Sequence, residues 1–507
     1  MADDAHARPF RAIIVGGGLL GLTAAHIFAK TDMDFVVLEQ HDDLTPEVGS
    51  PLALMPPTFR VLDQLGLLDT ISPTLTRFEN TVLMSADDGT VWKEENLVKI
   101  MEANHGHGVR VAHRPHYIKT LHSSLPDSIK ACIHVKKRVV RIDVADDGVA
   151  VHCEDGTVEH GSVVIGADGV HSRTRQAMQS LAAGVPSDTD QPSPFTTTYR
   201  ALFGNLPPLK DVPRGANIEC AAEGVSTQVL SCENRAWFAV YEKLPTPTPA
   251  RVRWTDDDKR ALLRRWAHLH VAPGGYTLRD AFEARVGPVG LVSLEEGLAD
   301  AWAWRRVVLV GDAVRKLAPQ AGLGYNAGVA DLVALINGLR RLAVQQARQT
   351  QVYQKLRKEG AEAEPPVITT LDLEAVFAEY QARRMADTPA VMGMSERRAR
   401  MCAWLGPRDR FVASVAAPWL PLGRLGVDFL LAPVMGRCPV LEWLDEKNLP
   451  APRAVAYAHY PASHEREKHW YEDAAAAVVA VAGVPVLTGA VGLAALTAVG
   501  VRFFRRL

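Results

Sequence analysis

The sequence predicts an α/β protein: a parallel-sheet nucleotide-binding lobe, a strand-rich insertion within it, and a helical region after it. Three observations carry this. A strand, a glycine cluster, a helix and a second strand follow one another between residues 11 and 38. Short apolar strands return at 162–165 and 306–310, with proline-separated strand pieces filling roughly 190–295 between them. Beyond that point helical patterns dominate.

The elements follow in order. Arg11-Ala-Ile-Ile-Val15 is a short apolar run suited to a buried parallel strand. Leu22, Ala25, Ile27 and Phe28 give the apolar face of a helix, and Phe35-Val-Val-Leu38 is the second strand, ending at Glu39. Residues 129–165 alternate apolar and polar around Asp146-Asp-Gly and Glu154-Asp-Gly turns, the pattern of a hairpin system running into Ser162-Val-Val-Ile165. Thr196–Phe203 and Ala236–Tyr241 read as strands of a separate sheet, and Arg306–Val310 returns to the first lobe. The charged, proline-interrupted stretch at 350–367 reads as an exposed insertion. The predicted division is 8–190 and 296–345 for the nucleotide lobe, 191–295 for the inserted sheet domain, 346–473 for the helical region and 474–501 for a hydrophobic segment.

Composition narrows the function classes. A net charge of −2 gives no reason to expect a nucleic-acid partner. The six cysteines form no CxxC pair and read as reduced thiols. Histidines 105, 107, 113 and 116 match no zinc spacing, so no metal site is expected. The amino terminus lacks the apolar core of a cleaved leader. From Ala474 to Val501 there is no charged residue, and the run is long enough to cross a bilayer core of about 30 Å. Acidic residues before it and three arginines after it favour a membrane anchor over a packed helix. The positive-inside preference pulls those arginines toward the cytosol, leaving topology open between a single pass and a hairpin near Pro485.

Gly16-Gly-Gly18-Leu-Leu-Gly21 fits GxGxxG between a strand and a helix. Gly16 permits the tight turn, Gly18 lets the backbone approach a pyrophosphate, and Gly21 lets helix and strand pack closely. The helix amino terminus adds free N–H groups and a positive dipole end. Glu39, eighteen residues past Gly21, can bond ribose hydroxyls and disfavours a 2′-phosphate, so the resident nucleotide is FAD or NAD. A second motif, Gly166-Ala-Asp-Gly-Val-His-Ser-Arg-Thr-Arg175, places Asp168 and Gly169 at a strand-to-helix turn that Ser172 can cap. In the third, Leu309 to Gly328, Asp312 ends a strand where its carboxylate can bond a ribityl chain. Gly322 and Gly324 permit close backbone approach before a helix starting near Tyr325, whose positive end would face a flavin pyrimidine ring.

In this order and at these separations, the three motifs resemble the single-component FAD-dependent aromatic hydroxylases. They look most like the fungal FAD-dependent monooxygenases of meroterpenoid and indole-diterpene biosynthesis. Val37-Leu-Glu39, Val48–Ala53, Leu62–Leu67, the Arg114 region, Tyr199-Arg200 and Phe203-Gly204 add to the likeness, which spans about residues 10–340. It implies a Rossmann-like FAD-binding domain with an inserted mixed β-sheet substrate domain and a helical C-terminal region. It also implies FAD contacts at Glu39, Ala53, Arg114, Asp312 and Tyr325, beside Gly16, Gly18, Gly21 and Asp168. Ala53 and Tyr325 replace the family's usual glycine and alanine, so the tyrosine side chain needs room near the flavin ring. Arg200 corresponds to the family's active-site arginine; the position of its usual tyrosine partner stays open, with Tyr241 one candidate.

The implied chemistry is transient reduction by NAD(P)H, reaction with O2 to a flavin C4a-hydroperoxide, and oxygen transfer to a hydrophobic small molecule. Epoxidation of a prenyl alkene is the first expectation, with phenol hydroxylation or dearomatisation as the alternative. A flavin reductase or dehydrogenase without oxygen insertion, and a non-catalytic nucleotide-fold protein, are the rivals from other classes. The expected location is the endoplasmic-reticulum membrane, with the catalytic part facing the cytosol. Trp302 and Trp304 read as core, and Arg383-Arg384 and Arg397–Arg400 as solvated helix faces.

Overall fold

The computed structural model describes residues 10–45, 51–186, 191–359, 365–416 and 422–447. Arg11–Val15 runs at the centre of a six-stranded sheet, with Asp34–Leu38 on one side and Val163–Gly166 on the other. Val307–Leu309 and Ile133–His134 extend it in parallel, and antiparallel Ala303–Trp304 closes one edge. Ile13, Val36, Val164 and Val308 are fully buried beneath helices on both faces, as expected of strands covered twice. Trp302, also fully buried, belongs to this core. The hairpin system at 129–165 is the three-stranded sheet Val139–Val144, Val149–Cys153 and Val158–Gly161.

The glycines decide how closely the elements approach. A Cβ at Gly21 would run into the Gly16 carbonyl oxygen, so only glycine lets Leu19–Phe28 lie on the first strand. A Cβ at Gly328 would stand 2.6 Å from Leu20 Cδ1. The glycine-loop helix and the long helix Gly324–Lys358 therefore meet around one leucine.

The second sheet has eight strands, in the order Arg315–Lys316, Val286–Leu298, Phe195–Leu206, Ala236–Thr248, Val225–Ser231, Ala216–Ala222, Asn80–Ser85 and Val91–Glu95. Three of them come from the segments that the sequence groups with the nucleotide lobe, so the two lobes are interwoven. The parallel pairing of Ala216–Ala222 with Asn80–Ser85 is a non-local contact that no local pattern announces. One face, including Met84, Leu202, Ile218, Val229 and Phe238, is buried under the helices Asp256–Trp266 and Leu278–Glu283. The other, with Tyr199, Ala201, Tyr241 and Leu294, turns to Ala318, Ala399 and Ala403.

The helical region differs from expectation in two respects. The long helix continues to Lys358, through the first part of the expected insertion, because its outer turns are straight-chain helix formers ahead of the prolines. Arg384 is not solvated, and Arg398 is only partly so. Arg384 Nε donates to Asp331 Oδ1 at 2.8 Å, and Arg315 donates to both oxygens of the same carboxylate at 3.1 and 2.9 Å. Asp331 is fully buried and also accepts the Gly311 N–H at 3.1 Å, tying two helices to the loop that bears Asp312. Arg398 pairs with Glu219 on the second sheet.

Residues 440–447 are strapped to the nucleotide lobe. Arg60 pairs with Glu446 at 2.8 Å, both nearly fully buried, and Gln64 exchanges bonds with the Leu441 backbone at 2.8 and 2.9 Å. The expected membrane segment, 474–501, lies outside the described residues. Among the described residues no helix is long and apolar enough to cross a membrane. All six cysteines are free.

Candidate active site

The three motifs converge at the carboxyl ends of the parallel strands, where an open α/β sheet places its ligand crevice. Gly16 follows Val15, Glu39 follows Leu38, Ala167 follows Gly166, and Val310 follows Leu309. Gly16 has φ +106°, and a Cβ there would stand 2.7 Å from the Ala167 carbonyl oxygen. Gly18, at the cap of the first helix, faces open space: a Cβ there would meet nothing within 4 Å. The glycine loop thus separates two packing glycines from one that keeps an approach clear for phosphate.

Glu39 is buried. Its Oε2 accepts the Gly17 N–H at 2.7 Å, and its Oε1 lies 2.9 Å from the His41 N–H and 2.7 Å from His41 Nδ1. Asp168 is wholly engaged in its own turn: Ser172 Oγ donates to Oδ1 at 2.5 Å, and Thr174 N–H and Oγ1 donate to Oδ2 at 3.0 Å. Desolvation raises its pKa, and those bonds act against the rise. Its visible work is to fix the helix Arg173–Ala183, whose cap Ser172 accepts the Arg175 N–H at 2.9 Å.

Two residues that the sequence motifs contain, without a role assigned to them, join the loops. Arg175 donates to the carbonyls of Val170 and Ala313, both at 2.8 Å, and its guanidinium lies 4.7 Å from the Phe195 ring centroid. Asn326 accepts from Met55 N–H (2.8 Å) and Thr58 Oγ1 (2.7 Å) and donates to the carbonyls of Ala53 (2.9 Å) and Gly322 (2.8 Å). That clamp presses the loop 319–324 onto the strand Pro51–Leu54, where a Cβ at Gly322 would meet Ala53 Cβ at 2.9 Å. The signal available from sequence was the position of each at a helix's first turn.

Asp312 is partly exposed, and Lys316 Nζ donates to its Oδ2 at 2.5 Å. Arg114 opens the helix Arg114–Ser123, and its side chain is exposed to solvent near Asp312. That is the position of a residue on a crevice wall. Desolvation lowers its pKa and the nearby Asp312 carboxylate opposes this. Glu39 and Asp312 border strands three places apart in the sheet, roughly 14 Å at the usual strand spacing. An extended dinucleotide fits that span, with ribose at the Glu39 end and a second sugar chain at the Asp312 end.

Two expected residues are placed elsewhere. Tyr325 does not crowd the crevice: its ring is buried, its hydroxyl lies 2.9 Å from Thr23 Oγ1 and 3.2 Å from the Tyr117 hydroxyl, and it meets the Tyr117 ring edge-on. Arg200 is not brought to the other site residues. Its Nε donates to Glu242 Oε2 at 2.6 Å and its guanidinium covers Trp254, while Arg265 and Trp266 donate to Glu242 Oε1, each at 2.9 Å. This is the helix-covered face of the second sheet, opposite Tyr199 and Ala201. Tyr241 is on the inner face and donates to Gln228 Oε1 at 2.9 Å. The four histidines do not gather, and no group of metal-ligating side chains occurs among the described residues.

The FAD binding domain family matches residues 10–363. The FAD-dependent monooxygenase srdH of Neurospora crassa is 30% identical, over 84% of this chain and 94% of its own. The FAD-dependent monooxygenase penE of Penicillium thymicola is 32% identical, over 65% of this chain and 70% of its own. Among solved structures, HpxO of Klebsiella pneumoniae complexed with FAD and uric acid superposes with a TM-score of 0.61 at 19% identity, covering 81% of this chain and 92% of that one. A salicylate hydroxylase substrate complex gives 0.60 at 17% identity, covering 81% and 93%. At these identities the two structures speak for the fold.

Proposed function

This chain belongs to the FAD binding domain family and is an FAD-dependent monooxygenase, and from that premise we propose that it epoxidises a prenyl alkene of a hydrophobic secondary-metabolite precursor. The balance is alkene, O2, NAD(P)H and a proton giving epoxide, water and NAD(P)+. Bound FAD supplies the redox chemistry, accepting a hydride from NAD(P)H and activating O2.

The observation that carries the reading is the wall beside the loop 317–323. Leu317 and Leu323 pack in one cluster with Met55, Met101, Met435 and Val98. These side chains are buried; a methionine-rich cluster can repack around flexible hydrocarbon, and an apolar surround excludes the water that would divert activated oxygen. In this account Glu39 holds the adenosine-side ribose, Gly18 keeps the pyrophosphate approach open, and Asp312 bonds the ribityl chain. Arg114 meets phosphate or ring oxygens. Ala53 contributes backbone beside the ring. Hydroxylation of a phenol is the weaker alternative, because Arg200, the cation suited to a phenolate, is engaged on the far face of the sheet.

Residues 474–501 complete the proposal as a membrane anchor that brings the pocket to where prenyl chains dissolve. The test is incubation of the purified holoenzyme with NADPH, heavy-isotope O2 and a farnesylated phenol, followed by mass spectrometry. One heavy oxygen on the prenyl chain supports epoxidation. Heavy oxygen on the ring transfers the assignment to hydroxylation, and product without heavy oxygen rejects oxygen insertion.

A further inference from the structure

On the inner face of the second sheet, four polar side chains from three adjacent strands form one continuous row. Tyr241 O–H donates to Gln228 Oε1 at 2.9 Å, Gln228 Nε2 donates to Asn217 Oδ1 at 2.9 Å, and Asn217 Nδ2 donates to Glu219 Oε1 at 2.7 Å. Arg398 secures the far end by pairing with Glu219 Oε2. The direction of the row follows from its terminus. A carboxylate only accepts, so Asn217 must turn its amino group to Glu219 and its oxygen to Gln228, which in turn must present its oxygen to Tyr241. The phenol hydrogen is thereby committed. The Tyr241 oxygen can accept, and the second N–H of each amide can donate.

The face carrying this row is only partly covered: Tyr241 and Ala239 pack with Ala318, Ala399 and Ala403, while the polar residues between them are less enclosed. Gln228, Glu219 and Ala239 are only partly buried although they lie on central strands, while their outward neighbours Val229, Ile218 and Val240 are at most 1% exposed. Enclosed polar groups without a hydrogen-bond partner among the described residues include the indole N–H of Trp237, a residue 3% exposed on the same face, the hydroxyls of Tyr199 and Ser226, also on this face, and the amide of Gln320 in the neighbouring loop. Enclosed polar groups without partners are costly unless something binds them. Gln320 belongs to the loop whose Ala318 packs with Tyr241 and whose Leu317 and Leu323 pack with the methionines. The polar row and the apolar wall thus flank the same loop.

We propose that the row Tyr241–Gln228–Asn217–Glu219 recognises a hydroxyl or carbonyl head group, so that the substrate is amphipathic, its polar end on the sheet and its hydrocarbon on the methionine wall. This rests on the monooxygenase reading above and specifies which prenylated molecules the site accepts. These are specificity residues: the row fixes where the head group sits, and thereby which part of the chain reaches the loop. A site built to bond a hydroxyl rejects the analogue lacking it, because its own polar groups are then left unpaired.

The test compares a farnesylated phenol with farnesylbenzene, which lacks the hydroxyl, by flavin absorbance titration of the holoenzyme and by KM and kcat. The wild type binds the phenol at least about tenfold more tightly. Gln228→Leu, which cuts the row at its middle, removes that preference while leaving the Kd for farnesylbenzene and the FAD content unchanged. Tyr241→Phe, a milder change for use should the leucine variant lose FAD, lowers the preference severalfold with the effect in KM and not kcat. Equal binding of both ligands by the wild type, or full preference kept in a variant that retains FAD, overturns the proposal. Oxidation of both ligands without preference would refute this inference alone. Failure to bind or oxidise either, in an enzyme whose flavin NADPH still reduces, removes the prenyl-substrate reading beneath it.

Discussion

Gly18→Ala separates a glycine kept for a ligand from glycines kept for packing. A methyl group at Gly18 has no neighbour within 4 Å, and the residue's φ of −73° suits any L-amino acid. The deflavinated protein should therefore keep its stability to within about 0.5 kcal/mol, as for an unencumbered surface substitution. The same methyl stands where phosphate must approach the helix terminus. Losing one charge-assisted N–H bond there costs about 2 kcal/mol, or roughly thirtyfold in Kd. The assay pairs thermal denaturation of deflavinated protein with FAD titration by fluorescence quenching. Gly21→Ala is the contrasting control, because its Cβ would overlap the Gly16 carbonyl and damage the fold itself. Wild-type FAD affinity in Gly18→Ala, or a large loss of stability in its deflavinated form, would refute the assignment.

Arg200→Gln should lower stability by about 1–3 kcal/mol through loss of a charged hydrogen bond to a nearly buried Glu242. FAD affinity and the ratio of product to NADPH consumed should stay within about twofold; loss of product at unchanged stability would contradict this placement. Asp331→Asn leaves two buried guanidinium groups without their carboxylate and should cost about 3–5 kcal/mol, seen as a lower urea midpoint. His105 is nearly fully buried, and burial, with Arg60 and His107 adding to it, lowers its pKa from 6.5 to about 4. The folded state therefore resists a proton that the unfolded chain accepts. Its contribution is complete above pH 6.5 and is lost as pH falls toward 4, by about 3 kcal/mol in all. His105→Asn should flatten that part of the stability profile, and an unchanged slope would reject the cause.

Much of the nucleotide crevice was legible because its chemistry is local. Gly16 needs a positive φ, Gly21 sits one turn from the strand it must touch, and Glu39 ends a strand whose apolar run announces it. What escaped depends on partners far along the chain. Tyr325 is accommodated by Thr23, 302 residues away, and by Tyr117, 208 away. Arg384 loses its solvent to Asp331 and Arg398 is drawn to Glu219, neither of which their own helices reveal. Arg200 shows the most instructive failure. Strand residues alternate between faces, and the ladder shifts register between Thr197 and Tyr199, so a resemblance in sequence does not fix which face a side chain takes. The strands Asn80–Ser85 and Val91–Glu95 read as part of the first lobe for a similar reason, since their sheet is completed by Ala216–Ala222.

The central claim is that one FAD spans the crevice from Glu39 to Asp312, and fragments of the dinucleotide test it most directly. Deflavinated wild type, Glu39→Ala and Asp312→Ala are titrated with FAD, ADP and FMN by calorimetry. Glu39→Ala should weaken FAD and ADP at least about tenfold and leave FMN unaffected, whereas Asp312→Ala should weaken FAD and FMN and leave ADP unaffected. If both variants lose the same fragment, or neither changes FAD binding, the two carboxylates do not grip opposite ends of one cofactor.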